Sequence, residues 1–452
     1  MADLRADRYI EASELGLDLY RGVAELPIVS PHGHIDVRLF ADPAARLDPP
    51  GRLFVTADHY VVRMLYSQGV SLERVGPGAD DRAVWQVLAD NVHLFALTPT
   101  GLWLRETLTT VFGIEEPLDS PSAEAIYERV EEQLASPTFA PPALLDRFRV
   151  ECLSTTDSAG ASLDAHRALG GRVRPTFRPD AVVALDAAGW REALAELEAA
   201  AGREVVNYAA FLEALAERRA AFKAAGATAT DHAAMSADTT RLSQGEASAL
   251  FRLALAGLVS STEARRFEAH MLNEFARMSM DDGLVMQLHV GSLRDHNGPI
   301  AERFGRDIGA DIPVATDWTR GLQPMLEACG NDPGFGLILF TLDESTYSRE
   351  LAPLAGHYPS VSLGCPWWFH DSPAGIDRFL DRVVETAGIY NLAGFVDDAR
   401  ALTALPARHD LWRRRTCGWL ARKVDAGFIG EKEARRLAWE LAYGLVRRAY
   451  KL

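Results

Sequence analysis

The sequence predicts an α/β fold: a (β/α)8 TIM-like barrel with helical insertions, the largest between the first and second strands. Three observations predict it. Short β-type runs alternate with long helical stretches, the pattern of a parallel sheet joined by crossover helices. Several runs are continuously apolar, such as 336–341 (GLILFT), as strands covered on both faces must be. Polar residues capable of chemistry gather where the runs end, the edge at which such barrels carry their sites.

In chain order the runs fall near 27–31, 150–155, 173–177, 227–230, 284–289, 336–341, 360–365 and 393–397, with 227–230 the least regular. Residues 1–49 are expected to hold an N-terminal helix and the first strand. Residues 50–148 read as a helical insertion, with apolar and aromatic residues three and four apart. Residues 149–452 complete the barrel, with a further helical insertion near 181–280 and C-terminal helices. The 181–225 stretch is rich in alanine and glutamate and stops at Gly226. The tail from Arg408 to Leu452 reads as two amphipathic helices with arginines along one face. That face is expected to be solvated, a contact in a homo-oligomer being the other reading. The sequence has no repeats or low-complexity segments.

The chain has 452 residues, 48% of them apolar, enough for one large core. A formal net charge of −16 argues against nucleic-acid binding. An anionic substrate would therefore have to be met by local arginines. Four scattered cysteines without a CxxC pair suit a reducing compartment. With a charged N-terminus and no long apolar run, the chain is expected to be cytoplasmic, with no membrane partner.

The most informative stretch is Ile28–Ile35, IVSPHGHI, where an apolar strand delivers two histidines as it runs out. In extended backbone, residues i and i+2 share a face, so His32 and His34 can aim at one point. Two neutral imidazoles suit a divalent transition metal such as zinc. An HxH pair also occurs by chance in polar turns. Its weight here comes from the other strand ends: Thr155–Asp157, Arg178, Asp231–His232, His289, Trp367–Trp368 and Asp397–Asp398–Arg400.

Taken together these signatures resemble the uronate (glucuronate) isomerase family of the amidohydrolase superfamily, over nearly the whole chain. They run PHGHID at 31–36, DHYVVRMLYSQGV at 58–70, LSTTD at 153–157, PTFRPD at 175–180 and TDH at 230–232. MQLHVGSLRDHN at 286–297, PWWFHD at 366–371 and GFVDDARAL at 394–402 complete the order. The resemblance implies that His32, His34 and Asp398 hold a divalent metal, zinc or a similar ion, with coordination positions left for substrate oxygens. It implies catalytic roles for His59, Tyr60, Asp398 and Arg400, with the arginine lowering the tyrosine pKa so that it serves as base. Arg178 would hold a sugar carboxylate by paired hydrogen bonds, with Trp367, Trp368 and His289 also contacting substrate. His232 and Arg294 are weaker candidates, and the remaining histidines, His409 among them, read as ordinary polar residues.

Two departures matter. Common members of the family carry an aspartate where this chain has Ser30, and Thr-Asp-Ser-Arg where it has Asp397-Asp398-Ala399-Arg400. The implied reaction is aldose–ketose isomerisation of a hexuronate through an enediol. A metal-dependent lactone or amide hydrolase is the alternative on the same barrel, and an inactive sugar-binding barrel a more distant one.

Overall fold

The computed structural model describes residues 4–11 and 13–452. Parallel strands follow one another in chain order. β1 (Ile28–Ser30) pairs with β2 (Val150–Ser154), and after a break the same chain segment resumes as β3 (Asp157–Ser158). The next segment is interrupted in the same way: β4 (Val173–Arg174) pairs with β2, and β5 (Phe177–Arg178) with β3. β6 (Ala229–Ala234) follows, then β7 (Val285–Val290), paired residue by residue from Ala229–Val285 to Ala234–Val290. A short antiparallel hairpin, β8 (Ser292–Leu293) and β9 (Ile312–Pro313), stands beyond the end of β7. β10 (Leu337–Thr341) and β11 (Val361–Leu363) continue the parallel order.

The eighth segment runs beside β11 without a regular ladder. The Ala393 N–H donates to the Leu363 carbonyl across 2.8 Å, and on its far side the Ala399 carbonyl accepts the His34 N–H at 2.9 Å. The expected strand at 393–397 is thus present as an extended segment, and it meets the chain emerging from β1. β6 extends to Ala234, well past the expected 227–230, because a strand carrying Thr230, Asp231 and His232 lacks the apolar signature of its neighbours. β7 and β10 are buried along their whole length, as strands covered by helices must be.

The stretch after β1 is helical, including Asp81–Asp90, Pro99–Thr110 and Ala123–Ala135. It packs around its own apolar cluster, with Trp85, Ile126 and Leu144 at its heart, and that cluster is continuous with Ile28 and Val150 of the barrel. Among the described residues, no helix is long and apolar enough to cross a membrane.

The arginine-bearing tail corrects an expectation. In the helix Leu405–Asp425 the run Arg413–Arg415 is buried, not solvated. Arg413 donates to the carbonyls of Ala24, Leu26 and Pro27, each at 2.9 Å. Arg414 pairs with Asp410 at 2.6 Å, and Arg415 with Asp377. A guanidinium has five donors, so three in a row can tie the N-terminal segment to the barrel only where acceptors satisfy them. A one-dimensional charge pattern does not reveal such acceptors.

Candidate active site

The cavity at the C-terminal ends of the strands is open to solvent and has a volume of about 160 Å3. Local sequence explains how its side chains arrive there. After β1, Gly33 passes so close to the 397–399 segment that a Cβ would sit 3.2 Å from the Ala399 carbonyl, and Thr156 Oγ1 donates to the Gly33 carbonyl at 2.9 Å. This pins the HxH turn between two neighbouring strand ends. Asp58 caps the helix His59–Ser67, accepting the Tyr60 N–H at 2.8 Å, and so sets His59 and Tyr60 in the first turn, facing the cavity.

His32 Nε2 lies 3.4 Å and His34 Nε2 3.1 Å from Asp398 Oδ1. That oxygen is buried and accepts no hydrogen bond, so the three atoms converge without satisfying one another. Asp398 Oδ2 accepts the Trp367 indole N–H at 3.1 Å. Asp397, fully buried, turns the other way: its carboxylate takes the Ala399 N–H and meets His409 Nε2, both at 3.0 Å. Asp398 and Trp368 both hold left-handed backbone, φ 47° and 54°, which costs a non-glycine residue about 1–3 kcal/mol. Strain of that size held at two adjoining strand ends is what a preorganised site requires.

The electrostatics ask for a cation at this point. Burial disfavours charge on Asp398, yet His34 and His32 hold it well below the ordinary carboxylate range. Burial keeps His34 neutral, whereas for His32 burial is outweighed by Asp231 and Asp398, which favour positive charge. Two imidazole nitrogens and one carboxylate oxygen, from a buried His32 and a half-buried His34 and Asp398, fit a divalent ion.

A second set adjoins it. His289 Nδ1 meets Asp231 Oδ1 at 2.7 Å, its ring stacks on Phe340 at 4.2 Å and on His32 at 4.8 Å, and its Nε2 is buried without a partner. Asp231 is held well below its ordinary range: burial opposes this, but Arg178, His32 and His289 prevail.

Two expectations change here. Arg178 faces the cavity, but its guanidinium is shared between Asp180 at 2.6 Å and Asp231 at 3.2 Å, so it lacks a free edge for a paired carboxylate grip. The principal cation acting on Tyr60 is Arg408, in place of the expected Arg400. Burial and the nearby Asp371 push the phenol well above its ordinary value, and Arg408 opposes them. Arg400 acts instead on His59, whose pKa is lowered to about 3 by burial first and that charge second. Arg400 itself makes a loose 4.0 Å pair with Asp307.

Trp367 and Trp368 line the cavity, with Arg294 5.1 Å above the Trp368 ring. His232 lies outside it, its ring 4.7 Å from Phe275 on the opposite face of β6. Sequence reasoning marked Asp231 at a strand end without giving it a role, and missed Asp371, Arg408 and Trp103. Strand alternation could have placed Asp231 in the site: if His232 faces outward, Asp231 faces in.

A parallel α/β barrel with an ionisable cluster, two histidines and an aspartate at its centre, at the strand C-termini defines a barrel enzyme of the metal-site type. The model of the glucuronate isomerase family matches residues 1–450, and the chain belongs to that family. A uronate isomerase of Nostoc punctiforme is 52% identical over 449 residues, covering 97% of this chain and 95% of that one. The crystal structure of glucuronate isomerase from Caulobacter crescentus superposes with a TM-score of 0.96 at 44% identity, over 99% of this chain and 97% of the other. That of uronate isomerase from Thermotoga maritima gives 0.94 at 30% identity, over the full length of both.

Proposed function

We propose that this chain interconverts a hexuronate and its keto form, D-glucuronate with D-fructuronate or D-galacturonate with D-tagaturonate. The carrying observation is the convergence of His32, His34 and Asp398 in a cavity that also presents Tyr60, Arg294 and Arg400, in a member of the glucuronate isomerase family. The ion these donors suit is zinc, which when bound would hold substrate oxygens and offset negative charge on them. The expected compartment is the cytoplasm, consistent with four buried, unpaired cysteines.

The chain's own residues supply binding and proton transfer. Arg400, whose partner Asp307 is a loose 4.0 Å away, takes the substrate carboxylate, assisted by the N–H groups that Arg294 keeps free of its 2.5 Å pair with Asp311. Arg178, locked to Asp180 and Asp231, positions those carboxylates and offers its remaining N–H to a hydroxyl. Tyr60 is the base at carbon 2. The C2–H bond breaks, its electron pair forms the C1=C2 bond of an enediol, and the former aldehyde oxygen gains a proton. Tyr60, whose phenol proton can exchange with solvent, then delivers a proton to carbon 1 as the oxygen on carbon 2 gives up its own. His59, a neutral imidazole with both nitrogens buried and unpartnered, passes the hydroxyl proton between oxygens. Because burial favours the neutral phenol, Tyr60 needs a neighbouring positive charge to work as base.

Incubation with D-glucuronate and D-galacturonate in deuterium oxide, followed by NMR, tests the proposal. An isomerase gives the ketose with deuterium at carbon 1, and the aldose re-formed from it carries deuterium at carbon 2. Hydrolysis of a lactone or amide panel, with no exchange into either uronate, would replace it with the hydrolase reading.

A further inference from the structure

Arg408 carries a buried positive charge that the site geometry above leaves without a task. It comes from the helix Leu405–Asp425, far in sequence from the first-turn residues His59 and Tyr60, yet it lines the same cavity. Its guanidinium carbon lies 3.9 Å above the Trp103 ring, and the edge of that ring meets Tyr60 with centroids 6.2 Å apart. One guanidinium nitrogen is 3.2 Å from Asp371 and also donates to the Asp397 carbonyl. Its side chain is only 10% exposed. A guanidinium held on an aromatic face and by two acceptors cannot swing out to meet a substrate. Its charge acts where it stands.

The groups facing Tyr60 come from every element packed around it. Among them are Asp58 and the neutral His59 from its own helix, Asp371 and Trp368 from the segment after β11, Asp398 from the eighth strand segment, and Trp103 and Arg408. Asp58, Asp371 and Asp398 all oppose a phenolate, and Arg408 is the cation among them. We propose that Arg408 is a positioning residue for Tyr60, supplying the positive charge that lets the phenol release its proton and accept the one on carbon 2. The proposal rests on the reading of Tyr60 as base given above. Asp371 sets the limit of that charge, since its carboxylate both anchors Arg408 and repels a phenolate.

The metal-loaded enzyme tests this through pH profiles of kcat. For a tyrosine base, kcat rises with pH along an acid limb. Arg408→Met moves that limb upward by about one pH unit or more, a loss of about tenfold at neutral pH that shrinks as pH rises. Asp371→Asn moves it in the opposite direction. Arg408→Lys, which keeps the charge, lies between wild type and Arg408→Met. Metal content, measured on each variant, stays at the wild-type level. In the Tyr60→Phe background, Arg408→Met produces no further pH-dependent loss, because the group it acts through is gone.

A loss in Arg408→Met that is constant across pH, or equal in the presence and absence of the tyrosine hydroxyl, overturns the proposal. If Arg408→Met does not fold, the Asp371→Asn and Arg408→Lys profiles decide it: no shift in either overturns it, and shifts of the stated signs sustain it. Full activity of Tyr60→Phe would overturn the base reading itself, an outcome distinct from a silent Arg408.

Discussion

The indole N–H of Trp367 donates to Asp398 Oδ2 across 3.1 Å, which leaves Oδ1 of the same carboxylate to face His32 and His34. One hydrogen bond thereby orients the oxygen that completes the two-histidine, one-carboxylate set. Outer partners of this kind tune metal sites as strongly as some ligands do.

Trp367→Phe keeps an aromatic ring in the cavity wall and removes the donor. Metal affinity is expected to fall by about 10–100-fold with the fold intact. Competition against a chelator, with far-ultraviolet circular dichroism as the control, measures it. Unchanged affinity would show that the carboxylate is oriented without the indole.

Tyr60→Phe should cut kcat by about 10²–10⁴-fold while bound metal stays constant. Turnover at the wild-type rate would remove the phenol from proton transfer.

Arg178 and Arg400 should separate cleanly. Arg178→Met strands Asp231 and Asp180 in a buried setting and is expected to cost about 3 kcal/mol of stability, seen in urea unfolding. Arg400→Met removes a half-exposed charge with only a loose partner, so the fold should hold while KM for the uronate rises. Equal stability losses in both would contradict the division of roles.

His59 gives a pH signature. Its folded pKa is about 3 against an ordinary 6.5, so between those values the unfolded chain binds the extra proton. Stability therefore falls as pH drops from 6.5 toward 3, by roughly 2 kcal/mol at pH 5 from this residue alone. In His59→Gln the decline across that window should be shallower, measured by urea unfolding at pH 7 and pH 5. A decline as steep as that of wild type would mean His59 is protonated in the folded protein.

Much of the barrel was legible because a strand buried on both faces has to be apolar, as Leu337–Thr341 is. β6 was half hidden because its cavity-facing and helix-facing residues are polar, whereas the eighth segment was legible at 393–397 although it forms no regular ladder. The paired histidines were legible from their two-residue spacing, and Asp398 from the family likeness. Arg408 was not legible. Its partners Trp103 and Asp371 lie on other elements, and in one dimension it is one more arginine in a basic helix. The burial of Arg413–Arg415 was hidden for the same reason.

The most direct test of the central claim is anomalous scattering at the zinc edge from crystals grown with the metal. The account predicts a single peak within bonding distance of His32 Nε2, His34 Nε2 and Asp398 Oδ1. A peak held by His289 and Asp231 with Asp398 unliganded, or none in the cavity of a fully active enzyme, would contradict it.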